Sequence, residues 1–172
     1  MSKKYELTSE TIQTINGETL YRIKALRDFG NIRAGNLGGF IGAERNLSQE
    51  NLCWVYGDAW VSGNAQVSDN AQVFGDAWVY GDARVSGNAQ VFGDARVSGV
   101  ARVSGDAWVY GDARVSGNAQ VFGDARVSGV ARVSGDAWVY GDARVSGNAQ
   151  VSGDAQVSGT LDDIIELNFS EE

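Results

Sequence analysis

The chain has 172 residues, with 23 Gly, no Pro, no His, one Cys and a formal net charge of −8. The missing histidines remove the commonest general base and metal ligand, and a lone cysteine, Cys53, excludes an internal disulfide or a thiolate zinc cage. No signal-type apolar core opens the chain at MSKKYELTSE and no apolar run is long enough to span a bilayer, so a soluble cytoplasmic protein is expected, away from the membrane.

In chain order, Tyr5 to Thr14 and Thr19 to Ala25 read as two strands joined at Asn16-Gly17, which signals a type I′ hairpin. Gly35 to Gly42 (GNLGGFIG) is a turn-rich lead-in, and Asn51-Leu-Cys-Trp54 brings the chain to its regular region. Residues 1–54 are expected to be an N-terminal cap, because a stack of strands leaves unpaired edges at its ends. Cys53 is expected to pack in this cap rather than react, since no basic neighbour in sequence would lower its pKa.

From Val55 to Val157 a valine recurs every six residues, eighteen times without a slip, within the motif V-[SFY]-G-[DN]-A-[RQW]. In Ala-x-Val the outer two side chains share one face of a strand and turn inward while the middle one points out. Gly-[Asp/Asn] then makes a corner, Gly through its freedom at positive φ and Asp or Asn through its tolerance of the left-handed region. Helix is a poor rival, because a six-residue period drifts around a 3.6-residue turn and each interior Gly costs about 1 kcal/mol. A longer repeat is superposed: Gly75–Ser104 recurs identically at Gly105–Ser134, and Gly135–Val151 begins a third copy. Residues 55–160 are therefore one solenoid. Residues 161–172 are expected to form a short C-terminal cap, with the apolar residues of LDDIIEL over the last coil and a frayed acidic tail.

The motif resembles the hexapeptide repeat of left-handed parallel β-helices, a family best known from bacterial acyltransferases. The resemblance implies an all-β, single-stranded, left-handed parallel β-helix in which three hexads close an 18-residue coil, here about six coils. The catalytic relatives use a histidine beside a loop that leaves the coil; this chain has no histidine and no insertion between Val55 and Val157, so no enzymatic activity is expected. Residues 5–42 also resemble the start of uncharacterised bacterial and prophage-encoded β-solenoid proteins.

No catalytic, cofactor-binding or metal-binding residues are assigned. On an 18-residue coil Asp58, Asp76, Asp94 and Asp112 share one corner, but the calcium-solenoid pattern, which has a nine-residue period, is absent, and corner geometry explains them. The hexads carry seven Arg against eleven Asp, so direct nucleic-acid binding is not expected. What remains is the outer surface, where Tyr56, Phe74, Phe92, Tyr110, Trp60 and Trp78 are expected to form one outward aromatic patch on the first side of the prism. The expected function is a non-catalytic structural or protein-interaction solenoid that self-associates through this patch, as a dimer in preference to a trimer. The alternatives are a phage-type inhibitor that mimics DNA or blocks a host defence protein, and a degenerate acyltransferase. A cap loop from residues 26–50 lying over the patch is the non-functional alternative.

Overall fold

The computed structural model describes residues 2–162 and 166–169. Apart from one 3-10 turn at Glu44–Asn46, its regular elements are strands. They form three sheets of ten, seven and six strands, the walls of a parallel β-solenoid. Each hexad contributes a two-residue strand that ends in its valine, except that Gln150–Gly153 runs two residues further, and up to Val157 strands 18 residues apart pair in parallel. Face I carries the column from Val55 through Val73, Val91 and Val109 to Val145. Face II carries Val61, Val79, Val97, Val115, Val133 and Val151. Face III runs from Val67 to Val157. These valines and the hexad alanines are at most 4% exposed, so the core is a continuous shaft of small branched side chains.

The corners divide their labour differently from expectation. From Gly57 to Gly153 the corner glycines take the left-handed conformation, with φ between +57° and +71°, and no Asp or Asn that follows them does so. Asp69, at φ +57°, is the exception because it stands in the glycine's own place; its Oδ2 accepts from Gly87 N at 3.1 Å. The Asp and Asn side chains instead bond from coil to coil: Asn64, Asn88 and Asn118 each donate Nδ2–H to the Asp one turn on, at 2.9–3.1 Å. Only the corner between faces I and II carries four acids in succession, Asp58, Asp76, Asp94 and Asp112, with no Asn between them.

The solenoid begins before its motif. Strand β3 (Leu37–Ile41) sets Ile41 beside Val61 on face II, and Leu47 bridges Val67 on face III, so an irregular turn precedes the six regular ones. Gly38 and Gly39 let this turn close, since a Cβ on either would lie 2.5–2.8 Å from atoms of Trp54, Val55, Ile23 or Ala59. The hairpin of β1 (Tyr5–Gln13) and β2 (Thr19–Ala25) is antiparallel and adds to face II through β3. Its turn is not type I′: only Gly17 has positive φ (+80°), while Gly17 N donates to Thr14 O and Thr14 N to Glu18 O, both at 2.9 Å. That is a type I turn closed by a glycine bulge, the three-residue hairpin solution. At the other end Thr160–Leu161 pairs with Arg144–Val145, and the backbone of 166–169 pairs with 150–153, so these segments continue faces I and II. Residues 163–165 and 170–172, on which the rest of the expected C-terminal cap falls, lie outside the described residues.

The N-terminal end of the shaft is plugged by Trp54, fully buried between Tyr5 and Phe29 in edge-on contacts at 6.1 and 5.2 Å. The Tyr5 hydroxyl donates to Leu47 O at 2.6 Å, and burial pushes its pKa above the ordinary tyrosine range. A raised folded-state pKa keeps its full stabilisation below the unfolded value, about 10, and loses it as pH climbs beyond. Cys53, raised chiefly by burial, acts with the same sign. Lys4, lowered chiefly by burial, acts oppositely, but only up to about pH 10.5, where the unfolded lysine has lost its proton. Above that pH, stability is expected to fall, with Tyr5 contributing a slope of about 1.4 kcal/mol per pH unit. Denaturant titrations of the wild type and Tyr5→Phe from pH 9 to 12 check this; parallel curves would remove Tyr5 as the cause.

Candidate functional site

Outward ladders follow from the register. Side chains 18 residues apart stand roughly 4.8 Å apart along the axis, the spacing at which flat rings stack. On face I, Phe74 lies 4.7 Å from Phe92 and Phe92 4.9 Å from Tyr110, with planes within 3° of parallel; Tyr56 closes the column edge-on at 6.3 Å. On face II, Trp60 stacks on Trp78 at 4.4 Å, and the Arg96 guanidinium covers the next ring face at 4.4 Å.

The six sequence-derived residues therefore do not share one side. Tyr56, Phe74, Phe92 and Tyr110 follow the valines of face I, whereas Trp60 and Trp78 precede the valines of face II, and the Gly-Asp corner at 57–58 and 75–76 separates them. They form two columns flanking the four-acid corner. Because the rings stack, they hide their faces in one another and turn their edges to solvent. All six are only half-buried to solvent, so the wet area is smaller than the sequence implies. Trp108, absent from that set, belongs with face I: it precedes Val109 and contacts Phe92 and Tyr110 edge-on at 6.0 and 6.4 Å. Thirty residues on, the same trio recurs on face III as Phe122, Trp138 and Tyr140, since five hexads on a three-hexad coil advance the pattern by two faces.

The hairpin tip flanks face II, and the 26–50 loop touches face I. The hairpin tip bends over face II, where Ile15, 92% exposed, Thr14 and Glu18 face Trp60, Trp78 and Tyr80 across a cleft of about 350 Å³. Glu18 Oε1 anchors the tip by accepting from Gly63 N at 3.1 Å. On face I, Asn31 of that loop accepts a long 3.4 Å bond from the Tyr56 hydroxyl.

Cys53 is buried, as its expected packing role requires, but it has a basic neighbour that the sequence conceals. Lys4 Nζ lies 3.3 Å from its sulfur and donates to the carbonyls of Cys53 at 2.9 Å and Glu50 at 3.1 Å. Burial outweighs the lysine and holds the thiol pKa up, so the thiol stays protonated at neutral pH. Among the described residues the acids do not gather into a group of three that could hold a metal ion, and no helix is long and apolar enough to cross a membrane.

The family model of the YdcK beta solenoid repeat matches nine overlapping windows, from residues 65–81 to residues 143–159. Together they span 65–159, more than half of the 172-residue chain. No curated protein matches the chain.

Proposed function

Since this chain belongs to the YdcK beta solenoid repeat family, we propose that it is a non-catalytic interaction solenoid that self-associates through the aromatic columns beside its four-acid corner. The observation that carries this reading is the unbroken ladder Tyr56, Phe74, Phe92 and Tyr110, flanked by Trp108 on one side and, across the corner, by Trp60 and Trp78. Stacking along the column accounts for ring-on-ring contact, but not for placing the ring edges in one contiguous stripe on a rigid wall. Aromatic anchors dominate protein interfaces, and a preformed wall loses little entropy when it docks. A twofold dimer is the simplest closed arrangement; a trimer is the second. The chain has no histidine and its hexad register is uninterrupted, which supports a role without acyl transfer.

Serine occupies the Phe74 and Phe92 positions elsewhere in the hexads, so Phe74→Ser with Phe92→Ser keeps the fold legal. Sedimentation equilibrium is expected to give a wild-type dimer and a double variant whose dissociation constant is about 100-fold weaker, the loss of two interface anchors. A wild type that stays monomeric at high concentration, or a variant that associates as well, defeats the reading. The acid corner favours a second reading, an inhibitor that offers Asp58, Asp76, Asp94 and Asp112 to a basic surface in place of DNA phosphates. That reading expects the four Asp→Asn changes to abolish competition with duplex DNA for a DNA-binding protein while leaving self-association intact.

A further inference from the structure

Face III holds an arrangement outside the surface proposed for self-association. Arg84, Arg102, Gln120 and Trp138 follow one another in register on four successive coils. With Ser86, Ser104 and the ring of Phe122 they line a shallow groove of about 500 Å³, within the size range of small-molecule sites. Two guanidinium groups one coil apart repel each other, and neither makes an ion pair with any described residue. The acids that flank them are engaged elsewhere: Asp82 accepts from Asn64 and Asp106 from Asn88. At the corner beside Arg102, Val100 stands where other coils place an Asp. In a chain of net charge −8, this is a cationic window with donors at one end and an aromatic wall, Phe122 edge-on to Trp138 at 6.1 Å, at the other.

We propose that this groove binds a nucleoside mono- or diphosphate, with its phosphates on Arg84 and Arg102 and its base against Phe122 and Trp138. The spacing selects this class. Arg102 and Trp138 are two coils apart, roughly 10 Å, too far for a phosphate bonded directly to a ring and suited to one separated from it by a sugar. Gln120, on the coil between them, faces the sugar hydroxyls. Guanidinium groups take phosphate oxygens two at a time, which lysine cannot do. The chain also carries its own control. Thirty residues on, Arg114 and Arg132 repeat the paired arginines on face II, but Ser152 stands where Phe122 would, and the register sets Glu166 beside Gln150, where Trp138 would be. That copy keeps the paired arginines and lacks the wall.

The test is calorimetric titration of the full chain at low salt with ADP, with pyrophosphate and with adenosine. ADP is expected to bind at least about ten-fold more tightly than either half, as a ligand bridging both ends of one groove does. Arg84→Gln with Arg102→Gln should weaken ADP about ten-fold or more. Phe122→Ser with Trp138→Gln should weaken ADP but leave pyrophosphate unchanged. Arg114→Gln with Arg132→Gln should leave ADP unchanged. Every replacement already occurs at the same hexad position elsewhere in the chain, so thermal melts should stay close to wild type and separate lost binding from lost folding. The proposal is overturned if ADP does not bind, if pyrophosphate binds as tightly as ADP, or if the Arg114/Arg132 pair costs as much as the Arg84/Arg102 pair. None of these outcomes depends on self-association.

Discussion

Replacing Gly99 with alanine is expected to destabilise the solenoid by about 3 kcal/mol, whereas Gly57→Ala costs about 1 kcal/mol, although both glycines turn the same kind of corner. Gly99 has φ +66° and Gly57 +57°, so an alanine at either pays the left-handed penalty, about 1–2 kcal/mol. The difference lies one coil away. A Cβ on Gly99 would stand 2.8 Å from Gly117 O and 2.9 Å from Gly117 N, while nothing lies within 4 Å of a Cβ on Gly57. The obstacle is backbone and cannot rotate aside. Gly117 is itself held 2.9–3.0 Å from Gly135 by the same measure, so a shift would propagate down the column. Because each coil is stabilised only by its neighbours, a lesion in the middle should also divide unfolding into two transitions. Urea melts of the two variants check this, and equal costs would show that backbone conformation alone explains the corner glycines.

Lys4→Met is expected to lower stability by about 2–3 kcal/mol, and Lys3→Met by no more than about 0.5 kcal/mol. Methionine matches the length of the lysine stem, so packing is preserved and the change isolates the amine. Lys4 is fully buried, and its ammonium is the donor for the Cys53 and Glu50 carbonyls at 2.9 and 3.1 Å, with the Phe29 ring at 5.1 Å. Removing it strands those acceptors at the plug that closes the shaft, offset in part by relief from desolvating a charge. Lys3 pairs with Glu44 at 2.6 Å, but both side chains are about half exposed, where an ion pair contributes little. Chemical denaturation of both variants checks the contrast. If Lys4→Met melts with Lys3→Met, the lysine is an ornament of the plug rather than its fastener, and the plug depends on Tyr5, Phe29 and Trp54 alone.

The regular turns were legible in the sequence because their physics is local and repeats. A valine every six residues sets which side chains enter the shaft, glycine sets the corners except at Asp69, and once three hexads are taken per coil every ladder follows, including the drift of the aromatic trio from face to face. The stacking of Val79, Val97 and Val115 and the four-acid corner follow from the same rule. The candidate site was half legible. Its residues could be named, but the corner between a valine and the next outward residue splits them over two walls, and stacking hides most of their area; neither is visible until the coil is closed. Contacts without a period left no trace in the sequence at all. Lys4 meets Cys53 across 49 positions, Tyr5 meets Leu47 across 42, and Glu18 ties the hairpin tip to Gly63 across 45. Each is a single pairing in an irregular segment, determined by how β1 and β2 fold onto face II. A repeat announces its contacts many times over, whereas a cap makes each of its contacts once, and only the tertiary structure decides which.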